Sequence, residues 1–314
     1  MSEMRVGRVM RGDARVYHVE VEGEIRQFAP RGKLFENLEG TKNPVAVGDL
    51  VRVSCDGDPP GLEEVLPRKN WLPRVASSHD PREQVLFANV DLLLVVGSVG
   101  QPLFSSNRTD RILAACEYYE IPSILVLNKI DLDRDREVPA IRETYERAGL
   151  EVLETSATEG VGLKELARRL ASRVSVLYGA SGAGKSTLIN SIDPGLELKT
   201  KIVSKYWDAG KHTTSFSQMH RVSTLENAWV IDTPGIRVFR LAGINKAELR
   251  DLFREFAPFQ ERCRYLNCSH DHEPDCAVFD AVDRGELAAS RYKSYVEILD
   301  ELVPPPLDDS PMEP

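Results

Sequence analysis

Gly179-Ala180-Ser181-Gly182-Ala183-Gly184-Lys185-Ser186 puts glycines, a lysine and a hydroxyl at the spacing of a phosphate-binding loop. An apolar run, residues 174–178, precedes it, and a helical stretch, 187–191, follows, which is the strand–loop–helix setting such a loop needs. The glycines let backbone N–H groups turn in on phosphate oxygens, and the start of the helix adds positive potential. Lys185 would reach the β- and γ-phosphates, Ser186 would ligate Mg²⁺, and Thr187 completes the phosphate-lining set.

Asn128-Lys129-Ile130-Asp131 closes another apolar run. A carboxylate at Asp131 can accept from both N1–H and the exocyclic amine of guanine. Adenine offers neither donor there and would leave the carboxylate unpaired, so this position selects guanine. Asn128 and Lys129 would flank the base and brace the phosphate loop. Ser156-Ala157 follows the next strand, where the Ala157 N–H is placed for guanine O6. Asp232-Thr233-Pro234-Gly235 follows the apolar Trp229-Val230-Ile231; Asp232 would hold Mg²⁺ through water and the Gly235 N–H would meet the γ-phosphate. Between the two phosphate motifs, Gly210-Lys211-His212-Thr213-Thr214 forms a polar stretch suited to a switch, with Thr214 favoured over Thr213 as the Mg²⁺ cap.

Two features depart from the common GTPase pattern. The guanine-reading residues come before the phosphate loop, so the chain is circularly permuted and the segment after Gly235 leads directly into the C-terminal region. Ile236 stands where many GTPases carry a water-orienting glutamine, so intrinsic turnover should be slow. His212 is the candidate catalytic residue for positioning that water, with a purely structural bond as the alternative.

Cys263, Cys268, His270 and Cys276 offer three thiolates and an imidazole in one short segment. Four such ligands close a tetrahedral Zn²⁺ shell and leave no place for a substrate water, so the expected role is structural. His272 is the alternative to His270. Cys55 and Cys116 are isolated and read as small packing residues.

The elements that must hold these groups fall into three regions. Residues 1–70 alternate in short β-runs with Gly and Asp at the corners, which predicts a small OB-like β-barrel, a shape often used on RNA. A linker marked by Pro67, Pro73 and Pro81 follows. Within 71–240, strands near 90–97, 123–127, 151–154 and 174–178 alternate with helices near 108–120, 137–148 and 163–171. That pattern predicts a parallel α/β sheet with ligands beyond its carboxyl ends. Residues 241–314 read as helical, over 246–256 and 284–302, with an apolar stripe of Leu287, Tyr295, Val296, Leu299 and Leu302, then a disordered proline-rich tail.

No apolar stretch approaches the roughly 20 residues of a membrane span, and the N-terminus lacks a secretory signal, so a cytoplasmic protein with no membrane partner is expected. A monomer is expected. The net charge of −9 argues against a nucleic-acid partner unless charge is segregated, for instance on a face carrying Arg5, Arg8, Arg11 and Arg15.

Taken together these motifs resemble the bacterial family of circularly permuted GTPases of small ribosomal subunit biogenesis known as RsgA or YjeQ. The resemblance spans nearly the whole chain. It implies an OB fold for the barrel, binding near the decoding region of the small subunit and its rRNA, and GTP hydrolysis to GDP stimulated by that particle during late maturation. Ala183 in place of valine, and Ser215 in place of a third threonine, are small departures. A GTP sensor with negligible hydrolysis and a GTPase serving a non-ribosomal partner are the alternatives.

Overall fold

The structure is a computed structural model and describes residues 4–13, 16–35, 40–56, 59–77, 80–198, 217–233 and 239–302. Five strands near the N-terminus close on themselves: β1 (Met4–Gly12), β2 (Tyr17–Val21), β3 (Glu24–Pro30), β4 (Leu50–Ser54) and β5 (Gly61–Val65). They pair β1–β2–β3–β5–β4, and β4 returns to β1, so the ring is complete. Alternation explains the core: Val51 and Val53 of β4 are buried while Arg52 between them is exposed. Val9, Val19, Val21, Phe28, Val45 and Leu62 join them in the interior.

The stretch read as a proline-marked linker is instead a hairpin of β6 (Trp71–Ser77) and β7 (Asp80–Ala88). Proline cannot donate to a ladder, but a two-stranded ribbon can shift register to accommodate it. One of its two shifts falls between Leu72 and Pro73, and Leu72 and Phe87 still reach the core.

β8 (Leu92–Ser98), β9 (Ser123–Asn128), β10 (Val152–Thr155), β11 (Val174–Gly179), β12 (Gln218–Val222) and β13 (Ala228–Asp232) form the central sheet in the order β10-β9-β8-β11-β13-β12. All neighbours are parallel except β12 with β13. Helices α1 (Ser106–Tyr118), α2 (Val138–Arg147), α3 (Leu163–Leu170) and α4 (Lys185–Ile192) cover it. The α1 side shares one apolar core with the C-terminal helices, whereas α3 and α4 enclose a second. The Arg11–Gln218 pairing of β1 with β12 joins barrel and central sheet edge to edge.

The C-terminal region contains α5 (Lys246–Leu249), α6 (Ala257–Gln260), α7 (Ala277–Asp283) and α8 (Ala289–Glu301). The single helix expected over 246–256 breaks after α5 into two 3-10 turns. There the Arg250 carbonyl accepts from Gln260 Nε2 at 2.9 Å, taking an acceptor a continuing helix needs for its own ladder. The helix expected from 284 begins later, because Gly285 sits at φ +73° and closes α7 with the Gly285 and Glu286 amides folding back on Val282 and Ala281. The apolar stripe packs as expected, with Leu287, Tyr295 and Leu299 buried. The expected disordered tail lies outside the described residues.

Charged groups fasten this region to α1. Arg291, 5% exposed, donates to Asp110 Oδ1 at 2.7 Å and to Glu255 at 2.7 and 3.1 Å, while Tyr145 donates to the same Asp110 oxygen at 2.8 Å. Arg111 holds Glu301 through two bonds of 2.7 Å. The Tyr118 and Tyr119 hydroxyls donate to the Gly243 and Ala242 carbonyls, so the end of α1 anchors the segment before α5 as well.

Candidate functional site

All six residues of β11 are buried between β8 and β13, so the strand aims its carboxyl end at the surface from a fixed position. The loop from Ala180 to Gly184 leaves that end and feeds α4. Gly184 has φ +94°, and a Cβ there would meet Asn128 Nδ2 at 2.2 Å, so both conformation and space require glycine. Lys185 is 7% exposed and its Nζ donates to the Gly179 and Ala180 carbonyls at 2.8 and 3.0 Å, which places the ammonium inside the loop's curve. Ala183 is buried, Gly182 and Ser186 are half-buried, and Ser181 and Thr187 are exposed.

The end of β9, two strands away from β11 in the sheet, meets this loop. Asn128, 1% exposed, donates from Nδ2 to the Ala183 carbonyl at 2.8 Å and accepts from Thr155 Oγ1 at 3.1 Å. Lys129 Nζ donates to the Gly182 carbonyl at 2.6 Å and to the Gln101 carbonyl at 2.5 Å. Partial burial pushes this ammonium below the ordinary lysine range, with the Asp131 charge opposing. Asp131 is exposed, and Ser156 Oγ donates to its Oδ1 at 2.6 Å. Ala157 is half-buried in the turn that follows. Thr155 and Gln101 escaped the sequence reading. Thr155 had a signal, since it ends the strand beside β9 and pairs in register with Asn128.

Asp232 ends β13, level with Leu177 of β11, and Thr233 Oγ1 donates to the Leu177 carbonyl at 2.7 Å. Asp232 therefore stands at the same edge of the sheet as the phosphate loop. His212, Thr213, Thr214, Gly235 and Ile236 lie outside the described residues. Phe239, close behind them, packs edge-on against Tyr178 at 5.9 Å, just before the loop's first glycine.

Cys263, Cys268, His270 and Cys276 come together far from that edge in sequence, with their ligand atoms all within 4.8 Å of one another. His270 Nδ1 is 3.6 Å from Cys263 Sγ and 3.4 Å from Cys276 Sγ. Bonds of about 2.3 Å to sulfur and about 2.0–2.1 Å to nitrogen at a tetrahedral angle give an N···S edge of about 3.5 Å, so the donors fit a metal with Nδ1 as the nitrogen ligand. His272, the alternative, lies outside this cluster: its side chain is 79% exposed and turned to Asp271. Burial pushes the Cys268 thiol up to about 12 and His270 down to about 4, both toward the neutral form, so a cation is what would draw out the thiolates. Glu273 accepts from the Ser269 and Asp271 amides, and the Tyr292 and Tyr295 hydroxyls donate to the His270 and Ser269 carbonyls, fixing the loop from both sides.

The arginine-rich start of the chain does not form a bare basic face. Arg5 pairs with Glu22, Arg11 with Asp13, Arg26 with Glu24, Arg31 with Glu63 and Arg52 with Glu64. Arg8 is half-buried, and Arg15 lies outside the described residues. Of the four arginines expected to make such a face, Arg5 and Arg11 are paired with carboxylates.

Residues 65–242 match the family model described as RsgA GTPase. The chain belongs to the RsgA GTPase family. It is 40% identical over 304 residues to the small ribosomal subunit biogenesis GTPase RsgA of Bordetella pertussis, covering 96% of this chain and 97% of that one. To the protein of the same name from Flavobacterium psychrophilum it is 34% identical over 289 residues, covering 89% and 87%. Among solved structures, YjeQ from Thermotoga maritima superposes with a TM-score of 0.74 at 33% identity, over 96% of this chain and 99% of that one. YloQ, described as a circularly permuted GTPase, gives 0.68 at 30% identity over 95% of each chain. The permuted order read from the motifs is thus the order of this family, and the enzyme class is a hydrolase acting on GTP. Among the described residues no helix is long and apolar enough to cross a membrane.

Proposed function

We propose that this chain binds and hydrolyses GTP at the edge formed by β9, β11 and β13, and acts in late maturation of the small ribosomal subunit. The observation that carries the reading is the bond from Asn128 Nδ2 to the Ala183 carbonyl. It ties the base-reading segment to the phosphate loop although the two stand in reversed chain order. In this reading Asp131 takes the two guanine donors, and Ser156 and Ala157 border the base. Residues Gly179, Ala180, Ser181, Gly182, Ala183 and Gly184 turn their amides to the phosphates. Lys185 leaves its loop carbonyls for phosphate oxygens, and Thr187 lines the α-phosphate end.

Mg²⁺ would be held by Ser186 and Thr214, with Asp232 acting through water, and it would neutralise charge on the β- and γ-phosphates. Gly235 would meet the γ-phosphate. Ile236 has no group to orient water, so His212 is assigned that role and turnover depends on the partner. Zn²⁺ is the metal that suits Cys263, Cys268, His270 and Cys276. The relatives' names give the partner as the small ribosomal subunit, and a monomeric cytoplasmic factor accords with that partner.

The test is phosphate release from GTP with and without purified small subunits. Stimulation of at least about tenfold is expected, and about 10²–10⁴-fold less stimulated turnover from His212→Ala, the usual worth of a positioned base. No stimulation by the particle would leave a nucleotide sensor or a different partner. Unchanged stimulated turnover in His212→Ala would remove that residue from the mechanism.

A further inference from the structure

Thr158 lies outside every motif considered above, and its hydroxyl reaches the group that reads the base. Ser156 Oγ lies 2.6 Å from Asp131 Oδ1, and Thr158 Oγ1 lies 3.0 Å from Ser156 Oγ and 3.4 Å from Asp131 Oδ2. The protons in this cluster can be placed by elimination. An ionised carboxylate only accepts, so the 2.6 Å contact requires Ser156 to give Asp131 its single proton. Ser156 Oγ is then an acceptor toward its other neighbours, and the Glu159 amide already donates to it at 3.2 Å. Thr158 is consequently the donor, either to Ser156 Oγ or to Asp131 Oδ2. Both choices deliver positive hydrogen density to the carboxylate, directly or through a polarised chain of hydroxyls.

The two carboxylate oxygens are therefore held differently. Oδ1 has the short bond to buried Ser156. Among the described residues, the Oδ2 contact is the one from Thr158 Oγ1 at 3.4 Å. Guanine presents two donors on one edge, N1–H and the 2-amino group, and needs both oxygens in its plane. Hypoxanthine presents N1–H alone and can be met by one oxygen.

We propose that Thr158 is a specificity-determining positioning residue that fixes the Asp131 carboxylate plane, so that the chain recognises the 2-amino group of guanine and not merely N1–H. The proposal rests on the guanine site placed at Asp131. Thr158 is exposed and follows the end of β10 in a turn closed by the Ser156–Val161 backbone bridge, so the hydroxyl can be removed without opening a core.

The experiment measures dissociation constants of GDP and IDP, which differ only in the 2-amino group, for the full chain, Thr158→Val and Thr158→Ser. The parent should prefer GDP. Thr158→Val, which keeps the shape and loses the hydroxyl, should lower the GDP-over-IDP preference about three- to tenfold, the net worth of one hydrogen bond. Its IDP affinity should stay within about twofold of the parent, and Thr158→Ser should restore the preference. An unchanged GDP/IDP ratio in Thr158→Val overturns the assignment, as does equal weakening of both nucleotides. If the parent binds neither nucleotide, the guanine site itself fails, an outcome separable from the first two.

Discussion

Replacing Arg291 with methionine removes the cation from a buried cluster that spans two parts of the molecule. Asp110 is fully buried on α1, and Arg291 and Glu255 belong to the C-terminal region. The guanidinium also lies over the Phe253 ring at 4.7 Å and the Tyr145 ring at 5.4 Å. Methionine can fill much of that volume, so the loss is electrostatic rather than a cavity. Breaking a buried pair by removing one partner costs about 3–5 kcal/mol, because a charge is left in a low-dielectric site. For a chain of this size that corresponds to a fall in unfolding midpoint on the order of 10 °C.

The sign of the pH dependence gives a second check on the same variant. Burial already pushes the Asp110 carboxyl above the ordinary range, against the pull of Arg291. Without the cation it rises further, so the folded variant binds a proton that the unfolded chain does not. Stability then falls as pH rises from the ordinary carboxylate value through the raised one, and acidification restores it by up to about 1.4 kcal/mol per unit. Urea unfolding of parent and Arg291→Met between about pH 7 and pH 5 reads both effects, and adding Asp110→Asn to the variant should recover part of the loss. A penalty below about 1 kcal/mol, or a pH profile parallel to the parent's, would falsify the claim that this cluster carries the α1–α8 contact.

Gly184→Ala forces a side chain into φ +94° and sets its Cβ 2.2 Å from Asn128 Nδ2, displacing the Asn128–Ala183 bond. Titration with a fluorescent guanine nucleotide should show at least about a tenfold loss of affinity, with about 1–3 kcal/mol lost in unfolding. Cys276→Ser keeps the N-cap of α7, where the side chain accepts from the Phe279 amide, but removes one thiolate from the metal cluster. Elemental analysis of the parent should give one zinc per chain and the variant far less, with faster hydrogen exchange across α7 and α8. Retained zinc in the variant would point to a different ligand set.

Chemistry was legible where it depends on consecutive residues. The phosphate loop, the Asn128-to-Asp131 segment and the cysteine cluster each declare themselves by local spacing, because a loop that wraps a phosphate or a metal is built from neighbouring residues. Strand and helix types in residues 90–192 were likewise readable, since β8, β9 and β11 are buried runs and the helices between them keep an amphipathic period. Reading failed where tertiary contact overrides local preference. Prolines in 71–88 suggest a linker, yet a hairpin whose register shifts beside Pro73 takes them into β6 and β7. In the helix expected over 246–256, the Arg250 carbonyl accepts instead from Gln260 of α6.

The sequence by itself determined which residue types the two motif clusters carry, and in what permuted order they come. Only the tertiary structure decided their partners. It chose His270 through Nδ1 over His272, by burying one ring among the thiols and leaving the other in solvent. It paired Arg5 with Glu22 and Arg11 with Asp13 in the barrel. It also set Asn128 against Gly184 and bound α8 to α1 through Arg291 and Asp110, contacts between segments 56 and 181 residues apart. Pairings of that kind are fixed by how the sheet orders its strands and how helices share a core, and neighbouring residues in the chain carry no record of them.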